Sequence, residues 1–105
     1  MKIYFEQSGG LLGIDNHILI NTESLHPEEA SRLQRMIDDA KFFDLPSELA
    51  PPKHGADYFE YKVTIEAKKL KHSIKTTDVT MPSTLGPLLR YLREKAQKGN
   101  ARTIP

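Results

Sequence analysis

An unbroken alternation of apolar and polar residues from Phe59 to Glu66 constrains the fold of this chain more than any other feature. The apolar side consists of Phe59, Tyr61, Val63 and Ile65. A period of two residues predicts a strand with one buried and one open face. We therefore expect a sheet that packs a hydrophobic core against one of its faces.

The segment that leads into this strand cannot be regular structure. Pro51 and Pro52 lack backbone donors, and Gly55 is free to turn sharply. Asp57 thus lies where an irregular loop joins a rigid strand, and two roles are open for its carboxylate. It is either a turn residue that accepts backbone hydrogen bonds or a group displayed for binding. The loop is longer than the median of about five residues, and long loops often carry function.

Length and composition exclude several classes of protein. The 105 residues suffice for one domain, predicted over residues 1–97, with a disordered tail over residues 98–105. The absence of cysteine excludes disulfides, thiolate zinc sites and a cysteine nucleophile. Fifteen basic and fourteen acidic residues nearly cancel, so the overall charge favours neither nucleic acid nor membranes. Without a signal-peptide core or an apolar run of about 18 residues, we expect a cytoplasmic protein.

A first hairpin is predicted at the start of the chain. Met1 to Gln7 and Ile14 to Asn21 alternate as strands, and the connection between them is rich in glycine. Its tip carries the apolar pair Leu11-Leu12, where hairpins usually expose polar residues. This pair either folds back onto the core or is displayed to a partner.

The remaining segments predict two helices and a second hairpin. Pro27 suits the first position of a helix, and the later strand from Leu70 to Thr77 completes the second hairpin. A last helix opens near Pro82 to Thr84 and presents an apolar stripe of leucines. The order ββαββα indicates an α+β domain, in which an antiparallel sheet of two β-hairpins carries two helices on one face.

The chain offers little support for catalysis. Its four histidines have neither helical four-residue spacing nor neighbouring ligands, so we expect no metal in the free protein, no cofactor and no enzymatic activity. A cluster of lysines over residues 62–75 is compatible with nucleic-acid binding. Acidic residues interrupt it, and protection of a sheet edge by lysines explains it equally well. Binding by the two unusual loops is what remains.

Several segments, taken in order, resemble the emfourin family. They are the glycine-rich loop with its apolar pair, Pro27-Glu28-Glu29-Ala30, Phe42-Phe43-Asp44-Leu45-Pro46, Gly55-Ala56-Asp57 followed by Phe59 and Tyr61, and Pro87-Leu88-Leu89. The similarity extends from Met1 to about Leu92. Emfourins are small bacterial protein inhibitors of protealysin-like, thermolysin-type zinc metalloproteases.

The resemblance implies that two neighbouring loops bind the protease. Asp57 corresponds to the aspartate that coordinates the catalytic zinc of the protease. The hydrophobic loop that enters the substrate pockets corresponds to Gly9, Gly10, Leu11, Leu12 and Gly13. Residues that flank the aspartate are expected to contact the rim of the active site: His54, Gly55, Ala56 and Tyr58. The family's loop more often carries Phe-Ala where this chain has Leu11-Leu12.

A second hypothesis stays open beside this one. The chain is then a non-inhibitory interaction or regulatory domain with an unknown cytoplasmic partner. It predicts no inhibition of any thermolysin-type protease and a partner surface elsewhere, on the exposed sheet or on the charged helix face.

Overall fold

Four antiparallel strands and two helices form the domain, as the sequence predicts. The computed structural model describes residues 1–9, 16–49, 59–78 and 80–102. The strands are β1 (Lys2–Gly9), β2 (Asn16–Asn21), β3 (Phe59–Ala67) and β4 (Leu70–Thr77), and the helices are α1 (Pro27–Ala40) and α2 (Gly86–Arg102). They are arranged in the sheet order β2-β1-β3-β4 with every neighbouring pair antiparallel. The α+β class and the order ββαββα are therefore confirmed.

The hydrophobic core lies between one face of the sheet and the two helices. The alternating residues of β1 and β3 fill its centre, where Phe5 and Val63 are partners in the ladder and both are fully buried. Leu33 and Ile37 of α1 and Leu88 and Leu92 of α2 cover them from the helical side. The opposite face of the sheet is open, so that even Leu19 remains 63% exposed there.

Helix α1 begins and ends where local sequence favours it. Pro27 occupies its first turn, where a missing backbone donor does no harm, and Glu28 and Glu29 lie at the positive end of the helix dipole. Lys41 ends the helix in the left-handed conformation, with φ 50°. The next turn places Phe42 fully inside the core and Phe43 at its border. Both phenylalanines therefore contribute to the core side of the domain.

A polar cluster of Glu29, Tyr91 and Lys95 joins the two helices on their outer side. The Tyr91 hydroxyl donates to Glu29 Oε2 at 2.5 Å, and Lys95 Nζ lies 2.6 Å from the same oxygen. The hydrogen bonds from Lys95 and then from Tyr91 lower the pKa of the Glu29 carboxyl. Burial and the bond to Glu29 raise the pKa of Tyr91, so the phenol stays protonated and keeps its donor.

The predicted tail overlaps the end of α2. This helix continues to Arg102, into the segment 98–105, and the domain boundary at residue 97 stays a prediction. Within the described residues, no helix combines the length and the apolarity needed to cross a membrane.

Candidate functional site

Most of the predicted site residues fall outside the described part of the chain. Asp57 and its neighbours His54, Gly55, Ala56 and Tyr58 lie outside it, as do Gly10, Leu11, Leu12 and Gly13 of the hydrophobic loop. Gly9 is described, and it ends β1. The residues that flank the two segments are described as well, and they fix where each segment joins the sheet.

The two segments join the sheet side by side. Gly9, after which residues 10–15 begin, is the direct partner of Phe59, before which residues 50–58 end. Directly opposed residues in an antiparallel pair have Cα atoms about 4.5 to 5.5 Å apart. Gly9 adopts φ 93°, a conformation that side-chain-bearing residues rarely take. The end of β1 and the start of β3 thus present both segments from one end of the sheet.

The other end of segment 50–58 is fixed along β4. The Leu49 amide donates to the Lys75 carbonyl at 2.9 Å, and the Lys75 amide donates to the Ser47 carbonyl at 2.9 Å. These two bonds form a short parallel bridge that covers part of the outer edge of β4.

His72 adds a bond to the same stretch of chain, two residues before Ser47. Its Nε2 donates to the Leu45 carbonyl at 2.6 Å, and its ring packs edge-on against Phe42 with centroids 5.6 Å apart. The approach to segment 50–58 is therefore tied to both the strand and the aromatic border of the core. His72 itself is half-buried.

Asp78 holds the point where segment 50–58 enters β3. The Phe59 amide donates to Asp78 Oδ1 at 3.2 Å, and the Asp78 amide donates to the Phe59 carbonyl at 3.2 Å. Both backbone groups of the first residue of β3 are thereby bonded to one residue. The start of β3 is held in place only two residues after Asp57.

The open face of the sheet beneath this end is polar. A shallow pocket of about 380 Å³ lies there, and alternating charges such as Glu60, Lys62 and Lys75 line it together with Thr77. Among the described residues, no group of three or more His, Asp or Glu side chains is placed to hold a metal ion.

The emfourin family model matches residues 5–93 of the chain. The chain belongs to the emfourin family. Emfourins are an inhibitor family, so this membership supports a protease-inhibitor role in general and a protease as the partner. It is consistent with the expectation that the chain is not an enzyme. No curated protein and no solved structure matches the chain.

Sequence reasoning missed the groups that support the site. Asp78, Ser47 and His72 carry no motif that distinguishes them from ordinary turn, loop and strand residues. Their partners lie 19 to 28 residues away along the chain, since Phe59, Lys75 and Leu45 are brought to them by the pairing of β3 with β4 and by the bridge to β4. In the sequence, only the position of Asp78 directly after a predicted strand indicated that it could support a strand end.

Proposed function

We propose that this emfourin inhibits thermolysin-type zinc metalloproteases by covering their active site with two neighbouring segments. Asp57 provides a carboxylate ligand to the catalytic zinc of the protease. Leu11 and Leu12 enter its substrate-binding pockets. His54, Gly55, Ala56 and Tyr58 contact the rim around the zinc.

The pairing of Gly9 with Phe59 carries this proposal. Consecutive Cα atoms are about 3.8 Å apart, so the Cα atom of Asp57 lies within about 8 Å of that of Phe59. The same limit holds for Leu11 relative to Gly9. Two segments tethered this closely can meet a single protein surface together, which supports one binding site formed by both.

The chemistry of a catalytic zinc suits a carboxylate partner. Such zinc ions have three protein ligands and keep a fourth position for water. An aspartate oxygen at about 2.0 to 2.2 Å from the metal occupies that position and displaces the nucleophile of the reaction. Inhibition then requires no peptide bond at the point of attack, so the inhibitor is not consumed as a substrate.

The apolar pair supplies a different kind of binding energy. Full burial of a leucine side chain contributes about 1.5 to 3 kcal/mol. Anchors of this kind mainly slow dissociation, because affinity differences between related complexes lie chiefly in the off-rate. The zinc ligand therefore blocks the reaction, and the leucines hold the inhibitor on the protease.

The proposal is tested by titrating the purified protein into a thermolysin-type protease and measuring residual peptidase activity. We expect Asp57→Ala to weaken inhibition by about 1,000-fold, near the upper range for a central contact. The matched control is Asp39→Ala, which removes an exposed carboxylate from α1 and should inhibit like the parent. Parent-like inhibition by a folded Asp57→Ala variant contradicts the zinc-ligand role.

The hydrophobic loop is tested separately by the dissociation rate. A double variant, Leu11→Ala with Leu12→Ala, should dissociate at least about 30-fold faster because two buried anchors are truncated. An unchanged off-rate would show that the leucines do not enter the protease. If the parent chain inhibits no thermolysin-type protease, the second hypothesis of a non-inhibitory interaction domain replaces this one.

A further inference from the structure

The bond between Phe59 and Asp78 departs from a regular antiparallel ladder. Glu60 is paired with Thr77, so Phe59 and Asp78 stand opposite each other at the next position. A regular hydrogen-bonded pair exchanges two main-chain bonds. Here the Phe59 carbonyl accepts from the Asp78 amide, while the Phe59 amide donates to the Asp78 carboxylate instead of to its main chain. The side chain completes the pair after the main chain has turned away.

The turn that carries Asp78 is braced by two threonines. The hydroxyls of Thr77 and Thr80 lie 2.7 Å apart, and each hydroxyl accepts from the other residue's amide, at 3.2 and 3.1 Å. The Met81 amide also donates to the Thr77 carbonyl at 3.0 Å. Thr77 is buried, so this bonded turn is fixed to the body of the domain. Asp78 therefore directly follows a buried residue that is hydrogen-bonded on both its amide and its hydroxyl.

Core packing does not account for the Asp78 side chain. The residue is exposed, and its carboxylate lies at the open end of the β3–β4 hairpin, opposite the turn that connects the two strands. A charged acceptor makes a stronger hydrogen bond to a backbone amide than a neutral one does. The described contact of the carboxylate thus restrains the first residue of β3, at the junction with the segment that contains Asp57.

We propose that Asp78 is a positioning residue for the zinc ligand: it fixes Phe59 and thereby limits where Asp57, two residues earlier, can place its carboxylate. This inference rests on the proposed inhibitory function. Metal coordination is directional and short-ranged, so a loosely held carboxylate binds zinc more weakly than a positioned one. Asp78 then contributes to inhibition through Asp57 and without a contact of its own to the protease.

A double-mutant cycle tests the coupling between the two aspartates. Inhibition constants are measured for the parent, Asp78→Ala, Asp57→Asn and the double variant, with Asp57→Asn chosen so that weaker inhibition stays measurable at high inhibitor concentration. We expect Asp78→Ala to raise the inhibition constant about tenfold in the parent. In the Asp57→Asn background the same change should raise it less than about twofold, as for two groups that act as a unit. Asp78→Asn keeps an oxygen acceptor and should inhibit within about threefold of the parent.

A second measurement needs no protease. Hydrogen exchange of the Phe59 amide should accelerate in Asp78→Ala and stay slow in Asp78→Asn, while thermal unfolding shows that both variants are folded. Unchanged Phe59 exchange in Asp78→Ala overturns the positioning role, as does a loss of inhibition that is equal in both Asp57 backgrounds. If Asp57→Asn itself inhibits like the parent, the proposed function fails and this inference fails with it. If Asp57→Asn is weak but shows no coupling to Asp78, the inference alone fails.

Discussion

The two segments of the candidate site leave the sheet from paired positions, but their supports differ. The residues that flank segment 50–58 are held by directional bonds on both sides. Leu49 donates to Lys75, Lys75 donates to Ser47, and Phe59 and Asp78 are joined by two bonds. Segment 10–15 leaves from Gly9, at φ 93°, and returns at Asn16, which pairs with Gln7 in the regular ladder of β1 and β2. These different attachments fit the two roles that we propose, a zinc ligand in segment 50–58 and apolar anchors in segment 10–15. A metal ligand must be placed within a fraction of an ångström, whereas apolar burial is non-directional and tolerates adjustment.

Among the changes that test this comparison, lengthening the proposed zinc ligand should have the largest effect. Asp57→Glu keeps the charge and adds one methylene, which moves the carboxylate farther from the backbone. We expect inhibition to weaken by about 100-fold in a peptidase titration, since misplacement of a reacting group by about 1 Å has effects of this size. Inhibition within about threefold of the parent would show that segment 50–58 adapts, and the contrast between the segments would be lost.

Volume-conserving changes in the hydrophobic loop should have a smaller effect. Leu11→Met with Leu12→Met preserves apolar volume and changes shape, and such swaps usually cost less than about 1.5 kcal/mol per site even in a packed core. We expect the inhibition constant to rise by less than about tenfold, whereas truncation of the same pair to alanine raises the off-rate strongly. A loss as large as that of Asp57→Glu would mean that the loop is fitted as strictly as the zinc ligand.

A side chain at the departure point of the hydrophobic loop should affect stability more than inhibition. Gly9→Ala introduces a Cβ at φ 93°, a backbone strain of about 1 to 3 kcal/mol, which is measured as reduced stability in urea unfolding. Gly86→Ala is the matched control, because Gly86 is helical and a Cβ there meets nothing within 4 Å. It should stabilise the protein by about 0.4 to 1 kcal/mol. Inhibition by Gly9→Ala should stay within about threefold of the parent, and a larger loss would indicate a rigidly required departure angle.

The interhelical cluster should have the smallest effect on inhibition while it contributes to stability. Glu29→Gln removes the ionised partner of Lys95 and Tyr91 and should lower the unfolding free energy by about 1 kcal/mol at pH 7, with inhibition unchanged. The folded pKa of Glu29 lies below its ordinary value of 4.5, so the stabilisation by ionised Glu29 is fully present above pH 4.5. It is lost as the pH falls through the folded pKa. Thermal unfolding from pH 7 to pH 3 should therefore show the parent and the variant converging, and a constant difference would contradict this origin.

Local patterns were sufficient to predict the fold. The alternation of Phe59 to Ile65 predicted which face of β3 is buried, and Pro27 predicted where α1 begins. These patterns suffice because periodicity determines which side of an element meets the core. The sheet order β2-β1-β3-β4, with β1 beside β3, depends on contacts between distant residues and does not follow from any local pattern.

The site could be predicted only in part, and for the same physical reason. The resemblance to emfourins pointed to the two segments, while their common origin at Gly9 and Phe59 emerges only from the pairing of β1 with β3. The proposed role of Asp78 depends on a bond between the ends of β3 and β4, so a single aspartate in the sequence did not reveal it. Whether Asp57 and the leucines bind a protease stays a prediction.

The dependence of binding on the protease's zinc tests the central claim most directly. Affinity is measured by a binding assay that needs no peptidase activity, with a thermolysin-type protease in its zinc-loaded form and after removal of the catalytic zinc. The parent should bind the zinc-loaded form at least about 100-fold more tightly, and Asp57→Ala should bind both forms with similar affinity. Equal binding of the parent to both forms, or a zinc preference that survives Asp57→Ala, would contradict the proposal that Asp57 coordinates the metal.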